Sequence, residues 1–460
     1  AHTPPTAEPT PPPHVRSQTA TRPVPQRVLD GDLRVSGGAI ATIASGGGLD
    51  ARNNETVIDA TGLHLLPGAI DPHVHFRDPG GTEKEDLESG SRAAAAGGVT
   101  SFLDMPNNNP NATNRANLER KIATASKKSV THHGFFIGAT KDNIADLQSV
   151  EGMDGVCGIK IFMGSSTGDL LVHEQQQLEN IFANTGGIIA THAEDEARLQ
   201  QRSAEFKHRT DIASHAECRD VECAFLATKR AAALSNDHDH RLHIVHLTSQ
   251  KEADWLNKNK GDLITTEVCT QHLTFDQDDV ECLGERALMN PPIRYTEDRD
   301  ALWSRLKDGT IDCVVTDHAP HTLESKSVGF PNAPAGMPGV ETSLPLMLTH
   351  ASDGKCSVSE VVSWMCEGPA KVYGIQNKGS LIEGYDADLT LVDLETKRTI
   401  TDADTWTKVG WTPYDGMELT GWPRYTIVDG EIVHKREENG TLRGSPVALP
   451  GSVGRALKFG

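Results

Sequence analysis

From Ala69 to Pro320 the chain repeats one pattern, a short apolar or β-branched segment followed by a stretch with helical periodicity. The strand-like segments cover residues 69–76, 98–105, 131–139, 156–163, 187–193, 241–248, 262–269 and 311–318. Strands that alternate with helices predict parallel pairing through crossover helices, and eight of them favour a closed α/β, TIM-like (β/α)8 barrel. An open doubly wound sheet is the competing architecture, although no Gly-rich phosphate motif follows the first strand.

The two flanks of this region have a different character, with short alternating strands and Asp-Gly turns. We therefore expect residues 26–66 and 375–440 to form a small β-sandwich beside a catalytic barrel over residues 67–374. Residues 1–25 are rich in Pro and Thr and lack the apolar core of a signal peptide. This composition predicts a disordered tail.

The charge and cysteine content exclude several classes of function. The 460 residues include 44 Lys and Arg against 64 Asp and Glu, a formal net charge of −20. Such an acidic chain is poorly suited to bind nucleic acid or an anionic membrane, and no segment approaches the apolar length of a membrane span. The eight cysteines are scattered without a CxxC pair, which indicates a reduced cytoplasmic protein rather than a cysteine zinc site.

Two histidines, His73 and His75, stand at the end of the first barrel segment. Because side chains alternate along a strand, both imidazoles point to the same side of the sheet. Two imidazoles on one face supply half of a metal coordination shell. Histidines that are hydrogen-bonded in a core or loop would produce the same pattern, so the pair alone leaves both interpretations open.

Further polar residues end other barrel segments, namely Lys160, His192, His246 and Asp317. In barrel enzymes the carboxyl ends of the strands form the active face, so these side chains are predicted to converge with the two histidines. Taken singly, either histidine would fit a satisfied core position, and Asp317 would fit a helix cap. Their joint placement at strand ends favours a metal site.

Lys160 is unusual in this set because an ammonium group cannot bind a metal. Burial among isoleucines lowers the pKa of a lysine and favours the free amine. A free amine can take up carbon dioxide to form a carbamate, whose two oxygens can bridge two metals. We therefore expect a carboxylated Lys160.

Four segments resemble those of bacterial-type dihydroorotases in the amidohydrolase superfamily. They are Asp71-Pro72-His73-Val74-His75-Phe76-Arg77-Asp78-Pro79-Gly80, Asp104-Met105-Pro106-Asn107, Gly158-Ile159-Lys160-Ile161-Phe162 and Thr316-Asp317-His318-Ala319-Pro320-His321. The resemblance runs from about Val57 to Gly430. Hydantoinases and allantoinases share the HxH pair and the lysine. They lack, as a set, the arginine after HxHF, the Met-Pro-Asn and the Asp-His-Ala-Pro-His.

The resemblance implies a binuclear site with two Zn²⁺ ions per subunit, bridged by carboxylated Lys160 and a hydroxide. The implied ligands are His73, His75, Lys160 and Asp317 for one ion, and Lys160, His192 and His246 for the other. The implied reaction is the reversible cyclisation of N-carbamoyl-L-aspartate to L-dihydroorotate plus water, a step of pyrimidine synthesis.

The resemblance also assigns roles around the substrate. Asp317 acts as general base and then as general acid during ring opening. Arg77 binds the substrate carboxylate, which suits a guanidinium because it forks onto a carboxylate with two hydrogen bonds. Asn107, His321 and Asn290 make further substrate contacts. One departure is Gln271, which stands where many relatives have histidine, so its role behind the ligands is in doubt.

Two other functions stay open at this stage, namely a cyclic amidase acting on hydantoin or allantoin, and a non-catalytic relative within a pyrimidine complex. Arg77 disfavours the first, and the intact ligand set disfavours the second. The expected partners are the small-molecule substrate and a second copy of the chain in a dimer, and an association with aspartate transcarbamoylase is left open. The Gly- and Pro-rich segment 325–337 is expected to shape the mouth of the pocket.

Overall fold

The computed structural model describes residues 29–53, 55–166, 170–437, 444–447 and 452–460. The tail predicted over residues 1–25 lies outside the described residues. None of the helices in the described ranges combines the length and the apolar character that crossing a bilayer requires.

The described chain opens with an antiparallel hairpin of strands β1 (Gly31–Ser36) and β2 (Ala39–Ser45). Strand β3 (His64–Pro67) follows and leads directly into the barrel. The barrel strands are β4 (Ala69–Val74), β5 (Val99–Asp104), β6 (His132–Gly138), β7 (Val156–Phe162), β8 (Ile189–His192), β9 (Leu242–Ile244), β10 (Ile264–Cys269) and β11 (Cys313–Val315).

These eight strands are parallel and neighbour one another in chain order, from β4 to β11. The first and last strands meet through a bridge between Val74 and His318, and the backbone N–H of His75 donates to the His318 carbonyl at 2.7 Å. The sheet therefore closes at the end that carries the HxH pair. The predicted barrel is confirmed, and the open doubly wound sheet is wrong.

Helices cover the outside of the barrel and fill its longer connections. They are α1 (Leu87–Ala96), α2 (Arg115–Lys128), α3 (Ile144–Ser149), α4 (Gln175–Asn184), α5 (Glu196–Phe206), α6 (Ser214–Cys218), α7 (Val221–Asp237), α8 (Gln250–Asn259), α9 (Thr270–Thr274), α10 (Gln277–Leu283), α11 (Thr296–Lys307), α12 (Leu323–Lys326), α13 (Ser343–Ser352), α14 (Val358–Val362) and α15 (Gly368–Tyr373). Helix α1 starts at Asp86, whose carboxylate accepts the N–H of Ser89, and ends at Gly97. The side chain of Asp86 therefore caps the first turn of the helix.

A five-stranded antiparallel sheet combines both ends of the chain, because β3 pairs with β12 (Leu389–Thr399). Its remaining strands are β13 (Glu418–Val428), β14 (Glu431–Lys435) and β15 (Ser445–Pro446). Ile40 of the N-terminal hairpin packs in one apolar cluster with Leu391 and Ile427 of this sheet. Antiparallel sheets from both flanks are therefore present, while the exact domain boundaries stay a prediction.

The last residues return to the barrel. Ala456 forms a bridge to His133 at the start of β6, and Phe459 forms one to Ile375. Leu457 between them is fully buried. This contact lies beyond residue 440, where the predicted sandwich ended.

Candidate active site

The side chains predicted as metal ligands meet at the carboxyl ends of the barrel strands. They are His73 in β4, His75 directly after it, Lys160 in β7, His192 at the end of β8, His246 after β9 and Asp317 after β11. All of them are buried and line one cavity. The fold thus brings together residues that are up to 244 positions apart in the chain.

His73, His75 and Asp317 form one ligand group. An Asp317 carboxylate oxygen lies 3.3 Å from Nε2 of His73 and 3.0 Å from Nε2 of His75. Burial alone would raise the pKa of Asp317, but the two imidazoles and Lys160 lower it to about 2. Burial lowers the pKa of His75 to about 4. An ionised carboxylate next to a neutral imidazole is a donor set that suits a divalent cation.

His192 and His246 form a second pair, and the ring of His246 lies 5.4 Å from the ring of His73. Nδ1 of His192 lies 2.9 Å from Nε2 of His246, and the two rings meet edge to face. Burial, with the neighbouring His192, His73 and Lys160, lowers the pKa of His246 well below its usual value. The pKa of His192 is also lowered, mainly by burial. Both rings are therefore neutral and can offer a lone pair.

The amine of Lys160 has the properties that carbamate formation requires. Its Nζ is buried and has no hydrogen-bond partner among the described residues. Burial lowers the pKa of Lys160 to about 8, although Glu267 and Asp317 act in the opposite direction. A buried amine without a partner is costly, and it is partly deprotonated near neutral pH. The residues present therefore fit a carboxylated lysine in the cavity that the four histidines line.

The outer nitrogens of three of these histidines are held by residues that the sequence analysis missed or placed elsewhere. Nδ1 of His73 lies 2.5 Å from Glu267, and Nε2 of His192 lies 2.8 Å from Glu194. Nδ1 of His75 lies 2.7 Å from the amide oxygen of Asn107. Such partners fix the tautomer and orientation of a ligand histidine. A glutamate within the buried strand β10 was the sequence feature that could have identified Glu267 as a partner of a ligand histidine.

Arg77 lies in the cavity wall, and its guanidinium makes few hydrogen bonds with the described residues. Its Nη2 is 3.4 Å from Nε2 of His321, and its Nε has no hydrogen-bond partner among the described residues. Burial lowers the pKa of Arg77 to about 10, partly offset by Asp317. His321 is not among the residues that line the cavity, and its backbone carbonyl accepts the indole N–H of Trp411 at 2.7 Å. The other predicted substrate residues, Asn107 and Asn290, do line it.

Three residues of the site have a backbone in the left-handed region, with φ of +57° at Arg77, +39° at His246 and +48° at Asp317. Non-glycine residues rarely adopt this conformation, and it clusters at functional sites. The buried Asp71 accepts the backbone N–H of Thr316 at 3.2 Å and that of His73 at 3.3 Å. It therefore ties β4 to the segment that carries Asp317.

Gln271, the departure noted in the sequence, has a defined role. Its amide nitrogen donates to the carbonyl of Thr316 at 2.6 Å. Thr316 precedes Asp317, so the glutamine supports the position of the carboxylate through the backbone. The segment predicted to shape the pocket mouth contributes Ala335 and Gly336 to the cavity wall.

Comparison with known proteins agrees with this geometry. The sequence profile of the amidohydrolase family matches residues 64–433. The chain is 36% identical to the dihydroorotase of Methanosarcina acetivorans over 416 residues, covering 88% of this chain and 89% of that protein. It is 35% identical to the dihydroorotase of Halobacterium salinarum, covering 87% of this chain and 93% of that protein.

Among solved structures, the chain resembles the L-hydantoinase (dihydropyrimidinase) of Arthrobacter aurescens with a TM-score of 0.85 and 28% identity. That match covers 92% of this chain and 95% of the hydantoinase. Hydantoinases thus share the architecture, while the sequence similarity is higher to dihydroorotases. The chain belongs to the amidohydrolase family and, within it, to the dihydroorotases.

Proposed function

We propose that this chain catalyses the reversible cyclisation of N-carbamoyl-L-aspartate to L-dihydroorotate, a step of pyrimidine synthesis. One observation carries the proposal: the buried Arg77 faces a cavity that also contains His73, His75 and Asp317. A guanidinium binds a carboxylate through two parallel hydrogen bonds, and the neighbouring group has the donor set of a hydrolytic metal centre. The substrate that fits both is a cyclic amide with a carboxylate.

The proposed cofactors are two zinc ions per subunit. The proposed ligands are His73, His75, Asp317 and carboxylated Lys160 for one ion, and Lys160, His192 and His246 for the other. Support comes from the first group, in which the ligand atoms of His73, His75 and Asp317 lie within 4.8 Å of one another. Further support comes from Nζ of Lys160, which has no hydrogen-bond partner in the part of the chain that the structure describes. When bound, such ions lower the pKa of water and polarise the amide carbonyl.

Asp317 is the proposed proton carrier. In ring opening it takes a proton from the attacking water and passes it to the ring nitrogen that leaves. Its pKa of about 2 supports this order, because the carboxylate is ionised at neutral pH and starts as a base. Its contacts with His73 and His75 hold it in one position.

The remaining residues are proposed to orient the substrate. Arg77 holds the carboxylate, and Asn107 and Asn290 contact the ring from the cavity wall. His321 supports the guanidinium from behind, and a direct contact between His321 and the substrate stays a prediction. Holding the reacting groups in register removes much of the entropic cost of the reaction.

A cyclic amidase for hydantoin or allantoin is the second candidate, favoured by the structural similarity to hydantoinases. Arg77 argues against it, because those substrates lack the ring carboxylate. A non-catalytic role is disfavoured because each proposed ligand is present in the cavity. We further propose a homodimer, which light scattering after gel filtration would test, and the same column run with an aspartate transcarbamoylase would test that association.

The function is tested by following ring opening of L-dihydroorotate spectrophotometrically with the purified zinc-loaded protein. Hydantoin and allantoin serve as control substrates, and Asp317→Asn serves as the inactive control. We expect turnover of dihydroorotate and little or none of the controls. Turnover of hydantoin or allantoin without dihydroorotate activity contradicts the proposal.

A further inference from the structure

One side of the cavity is built from backbone without regular secondary structure. It consists of residues 288–290 and residues 334–336, which we call the loop wall, and Met289, Asn290, Ala335 and Gly336 line the cavity. Residues outside helices and strands have no ladder of hydrogen bonds to hold them. The position of this wall therefore depends on individual contacts.

The largest of these contacts is made by Lys326, at the end of α12. Its side chain is 2% exposed, and its Nζ donates to the carbonyls of Leu288 at 3.1 Å, Pro334 at 2.9 Å and Gly336 at 2.9 Å. An ammonium group has three N–H donors, so all of them are used on the loop wall. One side chain thus binds both segments of that wall.

The two segments are joined directly by a hydrogen bond from the N–H of Gly336 to the Leu288 carbonyl at 2.8 Å. The wall is also close to the barrel at Gly336, where a Cβ would meet the carbonyl oxygen of Ala319 at 2.4 Å. A small displacement of Gly336 would therefore change the shape of the cavity. At this close contact the ammonium of Lys326 adds hydrogen bonds to the carbonyls of Leu288 and Gly336.

Lys326 has no carboxylate at ion-pairing distance among the described residues, and Glu285 is the charged group that acts on it from the neighbouring segment. Burial lowers the pKa of Lys326 to about 7. Burying an ammonium without a counter-ion is unfavourable. The proposed reaction does not use Lys326. Because burying its ammonium lowers the stability of the fold, we look for another role of this residue.

We propose that Lys326 is a positioning residue for substrate binding, because it holds residues 288–290 and 334–336 together as one wall of the cavity. This inference rests on the proposed function, since it takes dihydroorotate as the ligand. Asn290, whose amide oxygen is held by Nε2 of His215 at 2.9 Å, is the side chain whose placement depends on that wall. Loss of the ammonium should therefore weaken binding while the metal ligands stay in place.

The test compares Lys326→Met and Lys326→Gln with the wild type and with Lys378→Met, each as the full zinc-loaded chain. Lys378 is a matched control because it is also a buried lysine but pairs with Asp386 and Asp388, neither of which lines the cavity. We expect Lys326→Met to raise KM for dihydroorotate about 10-fold with kcat changed less than about 3-fold. The Gln variant, which keeps two donors, should fall between. Zinc content should match the wild type, and Lys378→Met should lower the melting temperature without raising KM.

An unchanged KM in the Lys326 variants overturns the inference, and so does a KM increase of the same size in Lys378→Met. If Lys326→Met does not fold, the Gln variant decides. Amide hydrogen exchange at Gly336, which is independent of activity, should become faster in both Lys326 variants, and unchanged exchange also overturns the inference. Failure of the wild type itself to open dihydroorotate refutes the proposed function, and the exchange data then still test Lys326.

Discussion

Replacing Arg77 with Met removes the guanidinium that we propose to bind the substrate carboxylate, while the apolar stem of the side chain is largely kept. Arg77 is 7% exposed, so its pair with a bound carboxylate is shielded from water. Truncating one partner of such a buried charged pair costs about 3 kcal/mol, which corresponds to a loss of about 100-fold in kcat/KM. We expect most of this loss in KM, because the carboxylate does not react.

The same change should stabilise the free protein. Burial lowers the pKa of Arg77 from its ordinary value of 12.5 to about 10, which corresponds to about 3 kcal/mol of unfavourable free energy for the buried charge. Removing an uncompensated buried charge while keeping its apolar contacts should recover part of this cost. We therefore expect Arg77→Met to raise the free energy of unfolding by about 1–3 kcal/mol, measured by urea denaturation.

The assay measures kcat and KM with L-dihydroorotate and with dihydrouracil, the same ring without the carboxylate. The wild type should strongly prefer dihydroorotate, whereas Arg77→Met should lose most of that preference. Zinc content is measured on each sample, because Arg77 is not a proposed ligand. Loss of zinc, or an equal loss of activity on both substrates, would show that Arg77 is structural and would refute the reasoning.

Three further predictions concern proton transfer, the metal ligands and the surface charge. Asp317→Asn should lower kcat at least about 10³-fold, and near-normal steady-state turnover would contradict the proton-transfer role. Glu267→Gln, which weakens the hold on His73, should lower zinc affinity about 10- to 100-fold in a chelator competition. The variant Glu281→Gln, at an exposed position, is its control. If both variants bind zinc with equal affinity, Glu267 does not support the metal site. The net charge of −20 should make the melting temperature rise as KCl increases from about 0.1 M, where the screening length is about 10 Å. A melting temperature that stays constant or falls with salt would exclude this self-repulsion.

Much of the fold could be predicted because its signals are local. Each barrel strand lies within its predicted apolar segment. The convergence of the candidate ligands followed from one rule, that parallel strands in a barrel have their carboxyl ends on the same face. No contact between distant residues had to be known for that prediction.

Other features depend on which distant segments meet, and periodicity carries no information about that. Glu267 lies 194 positions from His73, yet their side chains are in contact. His321 lies 244 positions from Arg77 in the chain, yet its Nε2 is 3.4 Å from the Arg77 guanidinium. The return of Leu457 to the bottom of the barrel likewise had no signal in the local pattern.

By itself, the sequence determined the barrel, the strand ends that carry histidine, lysine and aspartate, and the resemblance to dihydroorotases. The tertiary structure alone decided which buried polar atoms have no hydrogen-bond partner within the described ranges, and Nζ of Lys160 and Nε of Arg77 are two of them. It also placed the Nζ of Lys326, at the end of α12, within hydrogen-bond distance of three backbone carbonyls. The physical reason is that periodicity and propensity act over neighbouring residues, whereas burial and hydrogen bonding of a charge depend on packing between segments that are distant in the chain.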